Sequence, residues 1–193
     1  SIPRSRRRSV NRIEALRANY ARYVSLPWDR SLPAPQRVWF AVYDPFDERR
    51  LRLHLPSFEI ASKQAGHGWR SCDLTGAFAR WMAEQDYREA YFESPDDLHC
   101  PHPAFEELVA DLVRRELEAA DEETIVGVTG VASLFGFMRV SQLMEMVEDS
   151  IRGRLLVFFP GEYEDNNYRL LDARDGWNYH AVPITAAGGL AST

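Results

Sequence analysis

The sequence predicts an α/β protein, a three-layer sandwich around a mostly parallel central sheet of about five strands. The apolar runs at residues 38–43 and 155–159 are nearly continuous, which is typical of strands that are buried on both faces. Segments with helical spacing of apolar residues separate such runs, and this alternation favours helices on both sides of a parallel sheet. With 193 residues, the chain is long enough to bury one substantial core.

The first helix and the first strand are predicted from apolar spacing and from the residues that bound them. Residues 9–24 read as an amphipathic helix that Ser9 caps, and its apolar positions are Ile13, Leu16, Tyr20 and Val24. Pro27 ends this helix, and a connector with two further prolines follows. The strand at 38–43 then ends at an Asp-Pro pair, which is a turn signal.

A weaker helix is predicted over residues 46–65, where two glycines close it. A short strand follows at 69–74. Thr75 is expected to cap the next helix, which contains Phe78, Trp81 and Met82. The polar stretch 84–101, which holds two prolines, is expected to be irregular.

The second half of the chain repeats the alternation of helix and strand. The clearest helix is predicted at 103–120, where one apolar stripe contains Phe105, Leu108, Val109, Leu112, Val113 and Leu117. Strands are predicted at 124–131, 155–159 and 179–184. A helix that Ser141 begins and Gly153 ends is expected between the first two of these strands.

Charge is distributed unevenly along the chain. The formal net charge is −6, but residues 1–22 hold seven arginines against one glutamate, so the remaining residues carry −12. We expect residues 1–35 to form a basic arm, an amphipathic helix and a connector, residues 36–185 to form the α/β domain, and residues 186–193 to be a mobile tail. The nucleic-acid candidates in the arm are Arg4, Arg6, Arg7 and Arg8, which either contact DNA or an acidic partner or remain solvated.

Composition argues against export and membrane insertion. No apolar run approaches the roughly 18 residues that a membrane span needs, and no apolar stretch follows the basic residues at the N-terminus, so a secretory signal is not expected. Two cysteines, Cys72 and Cys100, are too few for a disulfide framework. We therefore expect a cytoplasmic protein with no membrane partner.

Several catalytic classes lack their required residues. Lys63 is the one lysine, and Ser62 and Gln64 flank it, whereas a phosphate-binding P-loop needs Gly before its Lys and Ser or Thr after it. The loop after the first strand is acidic and has no glycine, so it would repel phosphate. The run His99-Cys100-Pro101-His102 has no second ligand cluster at zinc spacing. The order of elements therefore resembles a nucleotide-binding core without a P-loop, and we expect no catalytic activity, cofactor or metal.

Four residues at the ends of predicted strands are candidates for a ligand cleft, since ligands of open α/β sheets bind beyond the carboxyl ends of strands. Asp44 and Asp73 could converge on a metal or act as an acid/base pair if their strands are neighbours, or each could cap its own turn. The glycine-spaced loop with Gly130 and Ser133 either approaches a ligand or allows close packing.

A second candidate site is the segment that follows the strand at 155–159. It combines tyrosines, carboxylates, amides and an arginine, and Tyr and Arg are frequent at binding hot spots. The alternative is a solvated loop whose tyrosines fold onto the sheet edge. The candidate partner-binding residues are Phe159, Glu162, Tyr163, Asn167, Tyr168 and Arg169.

Four motifs resemble the BrxB family of BREX bacteriophage-exclusion systems. They are residues 37–45 (RVWFAVYDP), 132–141 (ASLFGFMRVS), 154–163 (RLLVFFPGEY) and 168–179 (YRLLDARDGWNY). The resemblance spans roughly residues 9–185, which makes the domain at 36–185 BrxB-like. It implies antiviral defence and host-DNA methylation but assigns no catalytic residue.

The resemblance also implies partners. BREX systems contain a PglX methyltransferase, PglZ, which has an alkaline-phosphatase-like domain, and a BrxC ATPase. We expect a non-catalytic adaptor or scaffold that binds a PglZ-like protein, with PglX and BrxC as other candidate partners. Two alternatives stay open: a degenerate nucleotide-binding protein that uses the strand ends, and an accessory that contacts DNA through the arm.

Overall fold

The computed structural model describes residues 4–84, 103–171, 173–174 and 179–187, with the backbone alone for 4–11 and 173–174. In this part of the chain the helices are α1 (Arg4–Val24), α2 (Glu48–Gln64), α3 (Ala77–Ala83), α4 (Pro103–Glu118) and α5 (Val140–Val147). The strands are β1 (Val38–Tyr43), β2 (Gly68–Asp73), β3 (Thr124–Thr129), β4 (Arg154–Glu164), β5 (Asn167–Leu170), β6 (Ala173–Arg174) and β7 (Val182–Ile184).

Five strands form the central parallel sheet in the order β2-β3-β4-β1-β7. Each neighbouring pair is parallel, so the predicted fold class is confirmed: a mixed α/β protein with a mostly parallel central sheet. All six side chains of β1 are buried, because the strand lies inside the sheet with helices on both faces. That burial is the physical reason for its continuous apolar run.

Alternate residues along the strands belong to two separate cores, one on each face of the sheet. Phe40 of β1 packs into a core with the helices α3, α4 and α5, whereas its neighbour Trp39 packs into a core with α1 and α2. Successive side chains of a strand point to opposite faces, so one sheet holds both layers together. The three-layer arrangement follows directly.

Helix α1 contributes its predicted apolar stripe to the core. Ile13, Leu16, Tyr20 and Val24 are all at most 1% exposed. The Tyr20 hydroxyl is hydrogen-bonded to the Ser62 hydroxyl of α2 over 2.6 Å, which satisfies both groups inside the core. The helix therefore covers the same sheet as the rest of the chain. The domain boundaries expected at 35/36 and 185/186 remain predictions.

Strand β4 differs most from its prediction. It extends over eleven residues to Glu164 and turns through Asp165 and Asn166, whose φ angles are 51° and 62°, into the antiparallel strand β5. Two consecutive residues with positive φ are typical of the two-residue turns that suit hairpin twist. The segment expected to be a partner-binding loop is therefore a β-hairpin.

Two of the partner-binding candidates are core residues, and for them the interpretation was wrong. Phe159 is fully buried and Tyr168 is 1% exposed. The Tyr168 ring lies 4.6 Å from that of Phe40, centroid to centroid, and its hydroxyl donates to the Ala181 carbonyl over 2.7 Å. Neither side chain can reach a partner without opening the fold.

Asp44 and Asp73 could converge only if their strands were neighbours, and the strands are not neighbours. Strands β3 and β4 separate β2 from β1, so Asp73 and Asp44 sit about three strand spacings apart, on the order of 14 Å. Elsewhere the predicted ends shift modestly: helix α5 ends at Val147 and continues as a 3-10 turn, Glu148–Ser150. The final strand begins at Val182 rather than at residue 179.

Candidate functional site

An open cleft of about 600 Å³ lies at the carboxyl ends of β1 and β4. Helix α1 supplies one wall, the turn after β1 supplies the rim, and the base of the β4–β5 hairpin closes the other side. The lining residues are Arg12, Ile13, Leu16, Val42, Tyr43, Asp44, Pro45, Phe46, Asp47, Gly161, Glu162, Leu171 and Ala186. Ligands of open α/β sheets bind in this position.

The rim of the cleft is built by the turn that ends β1. The Asp44 carboxylate accepts a hydrogen bond from the Phe46 N–H over 3.0 Å, which begins the 3-10 turn Pro45–Asp47. The Phe46 side chain in this turn is 97% exposed. The aspartate thus has the capping role that was one of its two expected roles.

Arginine and carboxylates pair across the mouth of the cleft. Arg12 of α1 lies 3.3 Å from Asp44 and 3.2 Å from Asp47. The Asp47 side chain is only 3% exposed and has a second partner in Arg50, at 3.3 Å. A buried carboxylate needs such partners because its desolvation is costly. These ion pairs fix the middle of α1 against the turn that follows β1.

The electrostatics of the cleft disfavour phosphate. Among the lining residues whose side chains the structure describes, Arg12 is the one cation and already pairs with two carboxylates. Glu162 adds a third carboxylate, so the formal charge of this described lining is −2. The floor, with Ile13, Leu16 and Val42, is apolar. Placing an apolar side chain here would cost little desolvation free energy, whereas the net negative charge of the lining would repel an anion.

Asp73, Gly130 and Ser133 lie together at the carboxyl ends of β2 and β3, away from the cleft. Asp73 accepts hydrogen bonds from the N–H and the hydroxyl of Thr75, over 2.9 and 2.6 Å, and lies 3.3 Å from Arg52. Burial acts to raise its pKa, but the Thr75 bonds and Arg52 together hold the pKa of Asp73 below its ordinary value. The carboxylate is therefore an ionised turn cap.

The loop after β3 packs against that cap. Gly130 has φ of 79°, and a Cβ there would lie 2.5 Å from the Thr75 nitrogen, so glycine permits the close approach. The Ser133 hydroxyl donates to the carbonyls of Leu74 and Gly130, over 3.0 and 2.6 Å. Of the two alternatives, close packing describes this loop, and the serine proton is committed to the backbone.

The other four hairpin candidates reach solvent to different degrees. Glu162 and Arg169 are exposed and directly opposite each other across β4 and β5. Tyr163 and Asn167 are partly buried. The Tyr163 hydroxyl donates to Asn166 over 3.0 Å, and the Asn167 amide donates to the Asp165 carbonyl over 2.9 Å. The hairpin therefore offers a small polar surface on a rigid support.

Phe46, Arg12 and Asp47 are site residues that sequence reasoning did not identify. A signal existed for Phe46, because an aromatic residue inside an Asp-Pro-Phe-Asp turn has no apolar neighbour to pack on. For the arginine there was no local signal, since its partners lie 32 and 35 positions away. Their pairing depends on how α1 crosses the end of β1.

Two groups of candidates lie outside the described side chains. Arg4, Arg6, Arg7 and Arg8 belong to the first turns of α1, but the structure describes only their backbone. The run from His99 to His102 falls in a segment outside the described residues. The interpretation of the arginines as nucleic-acid contacts remains a prediction.

Family comparison adds an independent observation to this geometry. The sequence model of the family described as BREX protein BrxB matches residues 82–184, slightly more than half of the 193 residues. The chain belongs to the BrxB family. It is therefore a component of a BREX phage-defence system. Comparison with curated proteins and with solved structures gave no match.

The matched residues locate the family features within the fold. They run from the end of α3 to β7 and include the hairpin and the β4 side of the cleft. The motif at 37–45, from which the resemblance was partly drawn, lies outside the match. Within the described ranges of this BrxB family member, no three His, Cys, Asp or Glu residues are grouped to hold a metal ion. No helix in those ranges has the length and apolarity needed to cross a membrane.

Proposed function

We propose that this BrxB family member is a non-catalytic adaptor of a BREX complex and that it binds a PglZ-like protein through the cleft at the ends of β1 and β4. The observation that carries this proposal is Phe46, which is 97% exposed on the rim of an apolar-floored cleft. The complex works in the cytoplasm, where host DNA is methylated, and PglX and BrxC are further candidate partners.

Exposed aromatic residues beside a concave surface are typical of protein docking sites. A phenylalanine in water leaves its apolar surface hydrated, and a partner that covers it recovers roughly 25 cal/mol per Å² of that surface. Aromatic residues are enriched in interface cores for this reason. The cleft beside Phe46 offers a concavity in which a side chain of the partner can lie. Both halves of a hot spot are therefore present in one place.

The charge of the lining supports a protein ligand rather than a nucleotide. Its formal charge of −2 opposes a triphosphate, and Arg12 is held by Asp44 and Asp47. No glycine-rich loop follows β1, so the backbone offers no cradle of N–H groups for phosphate. A nucleotide-binding function would have to overcome all three features.

Affinity purification tests the adaptor function directly. The chain is tagged in cells that express the whole operon, and captured proteins are identified by mass spectrometry. We expect a PglZ-like protein to co-purify with the unmodified chain. Phe46→Asp should lower its recovery at least about tenfold. Leu26→Asp, which changes an apolar side chain 51% exposed at the opposite end of α1, is the matched control.

Two results would contradict the adaptor function, and a third would contradict its placement at the cleft. One is an unmodified chain that elutes without any other BREX component. The other is saturable heat on titration of the purified chain with millimolar ATP or GTP, because that would establish nucleotide binding. A folded Phe46→Asp variant that captures its partner as well as the Leu26→Asp control would show that the adaptor uses a different surface.

A further inference from the structure

The solvent face of helix α2 carries a regular pattern that shares only Phe46 with the lining of the cleft. From the preceding turn to the end of the helix, the exposed positions are Phe46, Arg49, Leu53, Pro56, Ile60 and Lys63, followed by Gln64. The first six are spaced three, four, three, four and three residues apart. This is the spacing of the a and d positions along one edge of a coiled-coil helix. We name these six residues the α2 ridge.

Apolar residues occupy every seventh position of the α2 ridge. Phe46 is 97% exposed, Leu53 is 75% exposed and Ile60 is 54% exposed. These are three of the five large apolar side chains that are exposed in the described part of the chain. Isolated exposed apolar residues are ordinary on protein surfaces, whereas these three recur at a seven-residue interval along one helix face, as the residues of a helix-docking seam do.

Two of the three other residues of the ridge are basic. Arg49 lies between Phe46 and Leu53, and Lys63 follows Ile60 on the ridge. Lys63 pairs with Glu59 at 2.7 Å, and both side chains are well exposed, so this surface pair is weak and can exchange partners. A helix that docks on the ridge would therefore meet cations at two positions of its seam.

The two helices that cover this face of the sheet are basic in sequence. Helices α1 and α2 pack side by side over one face and together carry a formal charge of +8, whereas the rest of the chain carries −14. A basic pair of helices attracts an acidic partner and favours one orientation of it. The complementary surface is acidic.

We infer that the α2 ridge docks an acidic amphipathic α-helix of the PglZ-like partner. The partner helix places an apolar seam against Phe46, Leu53 and Ile60, and its carboxylates face Arg49 and Lys63. The ridge spans fourteen residues between its outer apolar positions, about 21 Å at 1.5 Å per residue, which corresponds to about four turns of the partner.

A protein helix fits this ridge better than DNA does. Phosphate contacts would use the arginines but would leave the three apolar side chains in water, since the DNA backbone offers nothing to cover them. An apolar seam with flanking carboxylates satisfies both components of the ridge. The assignment rests on the adaptor function proposed above and adds a surface and the chemistry of its occupant.

The experiment uses the full chain in cells that express the whole operon. The double variant Leu53→Asp/Ile60→Asp should lower recovery of the PglZ-like protein at least about thirtyfold. Phe135→Asp is the matched control, since Phe135 is exposed to 44% and lies in the loop after β3. Arg49→Glu keeps the apolar row, should lower recovery severalfold, and should do so less at high salt.

Cross-linking identifies the occupant. A photoreactive phenylalanine analogue at position 53 should cross-link to a carboxylate-rich helical segment of the captured partner. A cross-link to DNA, to a second copy of this chain or to a segment without carboxylates would overturn the inference. Equal recovery by the unmodified chain, the folded double variant and Arg49→Glu would overturn it while leaving the adaptor function intact. Failure of the unmodified chain to capture any BREX component would instead remove both.

Discussion

Removing one hydroxyl from the hairpin should destabilise the fold without weakening partner binding. Tyr168→Phe leaves the ring in place against Phe40 but deletes the bond to the Ala181 carbonyl. That carbonyl would lose its partner inside the core, where an unsatisfied polar group costs about 1–3 kcal/mol. For a chain of this size, a loss of about 2 kcal/mol lowers Tm by roughly 4–8 °C.

Tyr163→Phe is a control of identical chemistry. Its ring lies 4.7 Å from that of Tyr168, but its hydroxyl bonds to exposed Asn166, where water replaces the lost partner. The change in unfolding free energy should stay within about 0.5 kcal/mol. Urea unfolding followed by fluorescence and calorimetric Tm measure both variants. Equal stabilities for Tyr168→Phe and the unmodified chain would refute the reasoning.

The Tyr168 hydroxyl should also make the unfolding free energy depend on pH, and the direction of that dependence can be stated. Burial, with a smaller contribution from Tyr163, raises the pKa of Tyr168 above its ordinary value of 10.0. Above pH 10 the unfolded chain therefore loses this proton more readily than the folded chain, and the unmodified protein loses stability. The phenylalanine variant has no such loss. The stability gap between the two proteins should narrow as the pH rises above 10.

Three further changes have predicted outcomes. Burial raises the pKa of Cys72 from 9.0 to about 11, so the unfolding free energy should fall between pH 9 and 11, and Cys72→Ala should flatten that decline in urea titrations. Gly130→Ala would place a Cβ against the backbone at a φ of 79°, so it should lower the unfolding free energy by about 2 kcal/mol or more. Gly136 has nothing within 4 Å of such a Cβ, so Gly136→Ala should lower the unfolding free energy by about 1 kcal/mol. Arg12→Met removes one partner of the buried Asp47 and should cost about 1–2 kcal/mol, measured as a lower Tm.

A specific experimental result would contradict each of these three predictions. A Cys72→Ala variant with the same alkaline decline would assign the decline to other groups. Equal losses of unfolding free energy in Gly130→Ala and Gly136→Ala would mean that movement of the loop relieves the clash at Gly130. Unchanged Tm in the Arg12 variant would show that Arg50 alone satisfies the buried carboxylate.

The parallel sheet was predictable because its signal is local. Continuous apolar runs at 38–43 and in the first half of β4 indicate strands that are buried on both faces. The apolar stripe of α4 indicates a helix with one buried face. The hairpin was not predictable in this way. Pro160 and Gly161 are usual loop residues, yet β4 continues through both, because the Pro160 carbonyl still accepts from the Leu171 N–H and Gly161 permits close approach of β5.

The cleft could be anticipated in position but not in composition. Strand ends of α/β sheets bind ligands, and Asp44 was identified on that basis. Its neighbours Arg12 and Glu162 come from segments more than 30 and more than 100 residues away along the chain. Their approach depends on the strand order, which short-range patterns do not encode. The same strand order is what separates Asp44 from Asp73.

The strand order also has a consequence for synthesis on the ribosome. Strand β1 pairs only with β4 and β7 among the described strands, and β4 begins about 110 residues after β1 ends. At about 5–20 residues per second, on the order of ten seconds pass before a neighbour emerges. During that interval six apolar residues are exposed without a partner strand, so a chaperone that covers residues 38–43 of the nascent chain would protect it from aggregation.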